Sequence, residues 1–272
     1  MIIMGKVYGV ISIKGGVGKT TTIATLGSAL ASIFNKKVLL VDANFSAPNL
    51  GLHLGIMSSG NTIHDVLKGR CDIKNAVYDT DFGFHFLPAD LKGSGKIPHL
   101  QLKKHIDKIK DDYDIVLIDS SPNLNNEVLA TMMASDDLLV VTTPDYPTLS
   151  CTMRAVKVAK RRKTPILGLI LNRVYNKKFE LTLDDVEESA EVPVLALLPH
   201  DIKIVEALSE VTPATLHAPK SDAVVEYCKL AGCLVGEDFE DPRFMAKIKS
   251  LFNKKLEKHE SNRLLLKEKQ DK

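Results

Sequence analysis

The stretch "SIKGGVGKTTT", Ser12–Thr22, decides how the rest of the chain is read. Gly15, Gly16 and Gly18 let the backbone curl so that its N–H groups, Val17 included, point inward as an anion cradle. A helix beginning near Lys19 adds the positive end of its dipole. Lys19 is placed to reach β- and γ-phosphates, the Thr20 hydroxyl to ligate Mg²⁺, and Thr21 to donate to an α-phosphate. The segment follows an apolar run and precedes a helical pattern, which is the setting a phosphate-binding loop requires.

Outward from this loop, short apolar runs alternate with helical spacing. The runs are "KVYGVISI" (6–13), "KVLLVD" (37–42), "FGFHFLPA" (82–89), "YDIVLIDS" (113–120), "DLLVVTT" (137–143), "PILGLILN" (165–172) and "VPVLALLP" (192–199). Most are continuously apolar, as in strands covered on both faces. Helical spacing marks Thr20–Phe34, Leu100–Lys110, Asn125–Ala134, Thr148–Lys160 and Thr182–Ser189. The alternation predicts an α/β fold: one doubly wound, mostly parallel sheet flanked by helices. The pattern weakens after Gly236. Residues 1–240 are therefore read as one domain and 241–272 as a basic tail. Asp241-Pro242 reads as the N-cap and first residue of a separate terminal helix.

Composition agrees with one large soluble core: 272 residues, 44% hydrophobic and 26% charged. No apolar run reaches the roughly 18 residues that span a bilayer. The opening "MIIMGKVYGVISI" has no charged leader and no cleavage site, so it reads as a buried strand and not a signal peptide. Cys71, Cys151, Cys228 and Cys233 lack CxxC spacing and are expected to be reduced thiols of a cytosolic protein. Net charge is +2, but unevenly spread. Ten Lys/Arg against five Asp/Glu give the tail +5 and leave −3 for residues 1–240. A basic tail on a near-neutral body points to an acidic partner, nucleic acid or anionic membrane.

"KGGVGKT" resembles the deviant Walker A motif of the MinD/ParA family of ATPases, with Ile13 where the strict pattern has glycine. The resemblance runs from about Gly5 to Gly236. It implies ATP and ADP as ligands with Mg²⁺, and a homodimer that sandwiches two ATP molecules. It also implies that the extra lysine, Lys14, reaches the nucleotide of the other subunit. Asp42 and Asp119 end two inferred parallel strands, where ligands bind in open α/β sheets. By the resemblance, Asp119 is the Walker B aspartate that holds Mg²⁺ through water, and Asp42 lies near the same metal. The stretch after Asp119, "SSPNLNNE" (120–127), is the second switch and matches neither common family version.

The first switch departs further. Family members read D-x-D here, and the second Asp orients the attacking water. This chain reads Asp42-Ala43-Asn44. Asn44 can accept a hydrogen bond from water but carries no charge and takes up no proton. Slow turnover, near-normal turnover with another group holding the water, and a nucleotide-locked scaffold all remain open at this point. For the base, the resemblance assigns Asn172 and Arg173 at a strand end, and Pro199, His200 and Asp201 in "LLPHD".

In the tail, Phe244, Met245, Ile248, Leu251, Phe252 and Leu256 fall within an arc of about 140° on a helical wheel, with Lys247, Ser250, Asn253 and Lys254 opposite, Lys255 intruding on the arc and Lys249 at its edge. Residues 243–256 thus read as an in-plane membrane helix, a feature the resemblance shares; a helix docked on the protein's own body or against a partner is the alternative. The implied protein is a MinD-like switch, cytoplasmic and reversibly peripheral to the inner face of the cell membrane. It would position a cellular structure through an unidentified regulator or cargo protein. The alternatives are a ParA-like DNA-partitioning ATPase, suggested by "KVAKRRK" (157–163), and a non-hydrolysing scaffold.

Overall fold

The structure, a computed structural model, describes residues 5–57, 60–91, 97–243 and 257–270. Eight strands form one sheet. They are β1 (Lys6–Ile11), β2 (Val38–Ala43), β3 (Tyr78–Asp79), β4 (His85–Leu87), β5 (Ile115–Ser120), β6 (Asp137–Thr142), β7 (Ile166–Val174) and β8 (Val194–Pro199). Their order is β3-β4-β2-β5-β1-β6-β7-β8. Every pairing is parallel except β3 with β4. The seven apolar runs are seven of these strands, and the doubly wound architecture is as expected. Only the two-residue β3 had no run to announce it.

Burial explains why the strands read as continuous apolar runs. All six residues of β2 and of β5 are buried, because helices cover both faces of the sheet. Alternate side chains still divide between two layers. Tyr8 and Val10 of β1 pack with helix α1 (Lys19–Ser32), while Val7 and Ile11 pack on the other face.

The remaining helices are α2 (Leu50–His53), α3 (Ile63–Leu67), α4 (Leu102–Ile106), α5 (Asn126–Ala134), α6 (Tyr146–Arg162), α7 (Leu183–Ala190), α8 (Ile202–Ser209), α9 (Ala214–His217), α10 (Asp222–Val235) and α11 (Lys258–Gln270). The helix expected over Leu100–Lys110 is shorter, with 3₁₀ turns at His99–Gln101 and Lys110–Asp112 on either side.

The terminal segment departs from its sequence reading. Asp241 caps no helix at Pro242. Its carboxylate accepts from the Arg243 backbone N–H at 3.0 Å and from Arg243 Nε at 2.8 Å. Pro242 and Arg243 lie outside any helix. Apart from Arg243, the segment expected to meet a membrane lies outside the described residues. The chain is described again at Glu257, and α11 packs on β8 and α10. Asn262 Nδ2 donates to the Val194 carbonyl at 2.9 Å, and Arg263 donates to the Leu195 carbonyl at 3.2 Å and to Glu226 at 3.1 Å. All four cysteines are free, with Cys228 and Cys233 buried and Cys71 and Cys151 half-buried. Among the described residues no helix is long and apolar enough to cross a membrane.

Candidate functional site

The winding of the sheet reverses beside β1, and ligands of open α/β sheets bind at such a point. The loop from Ser12 to Gly18 leaves β1 there and enters α1. Gly16 and Gly18 have φ of +77° and +98°. Gly18 stands at the N-cap, so α1 starts with no side-chain cap, and its first turn holds no acidic residue. The free N–H groups of that turn suit an anion.

Asn172 braces the loop from β7. Its Nδ2 donates to the Val17 carbonyl at 2.7 Å, and its Oδ1 accepts from the Arg173 N–H at 2.9 Å. A Cβ on Gly18 would lie 2.3 Å from Asn172 Nδ2. Only glycine fits this position, on both φ and space.

The strand ends bring the acidic residues together. Asp42 and Asp119 are register partners on β2 and β5. Both are buried, at 1% and 0% exposure. Burial raises both carboxyls above the ordinary range, and Asp42 is raised further by Asp119. Thr20 donates to Asp119 Oδ2 at 2.7 Å, and Asp119 Oδ1 is buried without a partner. A carboxylate this deep with one oxygen free is costly unless a cation meets it. Lys19, 7% exposed, lies close enough for Asp119 to hold its charge up while burial lowers it. Thr20 and Asp119 thus fit a divalent cation beside a phosphate. Asp42 also shapes the first switch from within. Its carboxylate accepts from the N–H groups of Asn44, Asn49 and Leu50, each at 3.1 Å.

Asn44 is 5% exposed. Its Nδ2 donates to the Ala47 carbonyl at 2.5 Å, and its Oδ1 is buried without a partner. The amide is therefore fixed with its acceptor unused, as a water-orienting group requires.

Lys14 lies on the open side of the loop. Its ammonium donates to Thr148 Oγ1 at 2.7 Å and sits 3.4 Å from Asp145. Both partners belong to the start of α6, where Asp145 is the N-cap. Neither was singled out in the sequence, although Asp145-Tyr146-Pro147 is a helix-start signal. Between Lys14, Asp145 and the Arg173–Glu180 loop lies an open cavity of about 450 Å³. Glu180 shapes that loop by accepting from the N–H groups of Tyr175 and Lys177.

The "LLPHD" residues divide. Pro199 ends β8. His200 is exposed, stacks on Tyr175 with ring centroids 4.6 Å apart, and donates its N–H to the Val174 carbonyl. Asp201 caps α8 by accepting from Lys203 N at 2.9 Å, so its carboxylate is committed to backbone. Thr21 occupies the first turn of α1, next to Thr20.

Known proteins resemble the chain in both sequence and fold. Residues 5–167 match the family described as "AAA domain". The cell division ATPase MinD of Pyrococcus furiosus is 35% identical, with a TM-score of 0.79 over 84% of this chain and 97% of its own. The chain belongs to the MinD/ParA family of P-loop ATPases. A second solved relative is the septum site-determining protein MinD of Pyrococcus horikoshii, complexed with Mg-ADP. It is 32% identical, with a TM-score of 0.79 over 90% of this chain and 98% of its own. Septum site-determining protein MinD of Synechocystis is 30% identical over 92% of this chain and 97% of its own length. These MinD proteins match between 84% and 92% of this chain. Nucleotide hydrolysis is the general activity of the family.

Proposed function

We propose that this protein is a MinD-like ATP switch with a slowed hydrolytic step. It binds ATP with Mg²⁺, forms an ATP-sandwich homodimer, and meets an anionic membrane peripherally through residues 243–256 to position a cellular structure. The observation that carries this reading is the pairing of a complete phosphate loop with Asn44. The chain keeps Lys14, Lys19 and Thr20 at the loop and Asp119 at the end of β5, while the water-orienting position has an amide in place of a carboxylate. Mg²⁺, when bound, would neutralise phosphate charge. Lys19 and the N–H groups of the loop would hold the β- and γ-phosphates, and Lys14 would reach the partner's nucleotide after leaving Asp145. Asn44 would orient water through Oδ1 but accept no proton from it.

The deciding experiment compares ATP turnover of the native chain with Asn44→Asp. We expect turnover to rise about tenfold or more in the substituted chain. Equal rates would reject the slowed step. Sedimentation with anionic vesicles, with and without ATP, tests the membrane role, and loss of residues 241–272 should abolish ATP-dependent binding.

One observation favours a second reading, a ParA-like ATPase that holds DNA. Lys157, Lys160, Arg161, Arg162 and Lys163 are all exposed at the end of α6. ATP-dependent retention of duplex DNA, lost when these residues are neutralised, would favour it over the membrane.

A further inference from the structure

Asn44 cannot be placed by its own side chain alone, because its Nδ2 is anchored to the backbone of its own loop at Ala47. The position of Oδ1 therefore depends on where residues 45–47 sit. Phe45 is fixed by packing, 2% exposed, with ring centroids 5.7 Å from His64 and 5.2 Å from His99. Ser46 is fixed differently. Its hydroxyl donates to Glu127 Oε1, which lies in the first turn of α5, eight residues past Asp119. This contact ties the first switch to the second.

Glu127 is an unusual choice for this place. It is 3% exposed, and its Oε2 is buried without a partner. The helix does not need it as a cap. Asn125 already accepts from the N–H groups of Glu127 and Val128, at 3.0 and 3.2 Å. A negative charge is favoured at a helix N-terminus, but a buried one with a free oxygen still costs free energy. An apolar residue would stabilise the body better. The carboxylate needs another reason to be there, and the Ser46 contact supplies one.

We infer that Glu127 is a positioning residue for turnover: through Ser46 it clamps the Asn44-bearing segment to the helix that follows Asp119. This rests on the reading of the chain as an ATPase with Asn44 beside the attacking water. The clamp holds Oδ1 where an uncharged acceptor must be well aligned to act.

The test is a double-mutant cycle in kcat with Ser46→Ala, Glu127→Ala and both together, alongside affinity for a fluorescent ADP analogue. Each single change should lower kcat about tenfold, and the pair should be no slower than the slower single. ADP affinity should stay within about twofold, which separates positioning from general loss of structure. Glu127→Gln keeps an acceptor oxygen for Ser46 and should retain kcat within about threefold. Ser46→Ala removes one hydroxyl and carries the test even should Glu127→Ala not fold. Native kcat in Ser46→Ala, or losses that simply multiply, would overturn the clamp. So would Glu127→Gln as slow as Glu127→Ala, since that would make charge and not the contact decisive. A native chain that binds nucleotide without turnover would overturn the hydrolytic reading and the clamp with it. Turnover indifferent to both residues would overturn the clamp alone.

Discussion

Gly18 shows how one residue answers two demands at once. Its φ of +98° is open to glycine, and its missing Cβ makes room for the Asn172 amide. Gly18→Ala should therefore cost about 1–3 kcal/mol of strain, visible as a lower Tm, and weaken ADP binding. Removing the obstruction with Asn172→Ala in the same chain should recover part of the packing loss but not the φ strain. Full recovery of both would show that space alone matters. The glycine was legible in the sequence and its partner was not. Asn172 was assigned to the base by the resemblance, and what spacing did not announce is that its amide also bonds backbone at both ends. Spacing reveals which residues stand at strand ends. It does not reveal which of them face one another across adjacent elements, and so Ser46 and Glu127 gave no signal either.

At the scale of elements, α6 depends on Asp145. The carboxylate accepts from Thr148 N at 2.9 Å and from the Thr148 hydroxyl, and it faces the Lys14 ammonium. Burial raises the Asp145 carboxyl, but the Thr143 and Thr148 hydrogen bonds and Lys14 outweigh it and leave it below the ordinary range. Asp145→Ala should destabilise the protein by about 0.5–2 kcal/mol through the lost cap, as thermal unfolding would register. Little of that should come from the Lys14 pair, since both side chains are about two-fifths exposed. Lys14→Ala should therefore leave Tm nearly unchanged. Strand periodicity was easy to read because buried parallel strands are apolar throughout. Helix periodicity was harder for the same reason. Ten of the fourteen residues of α10 are buried, which leaves only a narrow polar stripe, Asp222, Glu226 and Lys229, to mark a 3.6-residue pattern.

Across the whole molecule, α11 binds the body by polar contacts that hydrophobicity would not suggest. Leu264 and Leu265 are 45% and 56% exposed, while His259 and Arg263 are 4% and 7% exposed. The partner is Glu226 on α10. Burial pushes its carboxyl up, but the His259 ring, 3.7 Å away, and the Arg263 and Lys229 cations prevail and hold it at about 2. A carboxyl lowered on folding stabilises the fold above its ordinary value of 4.5 and loses that contribution as pH falls towards 2. The amount is on the order of 3 kcal/mol. Tm should accordingly fall between pH 4.5 and pH 2. Glu226→Gln should be less stable at pH 7 and flatten that part of the profile. A parallel drop in both chains would assign the acid sensitivity elsewhere.

Lys229 of α10 approaches both Asp241, at 3.7 Å, and Glu260, at 4.0 Å. One ammonium thus lies near residues on either side of the 244–256 segment. The contacts of α11 with β8 and α10 should hold it without the covalent link between those two points. A molecule nicked between Arg243 and Lys258 should remain a two-piece complex. Its short fragment should co-elute with the body at neutral pH and part from it in strong acid.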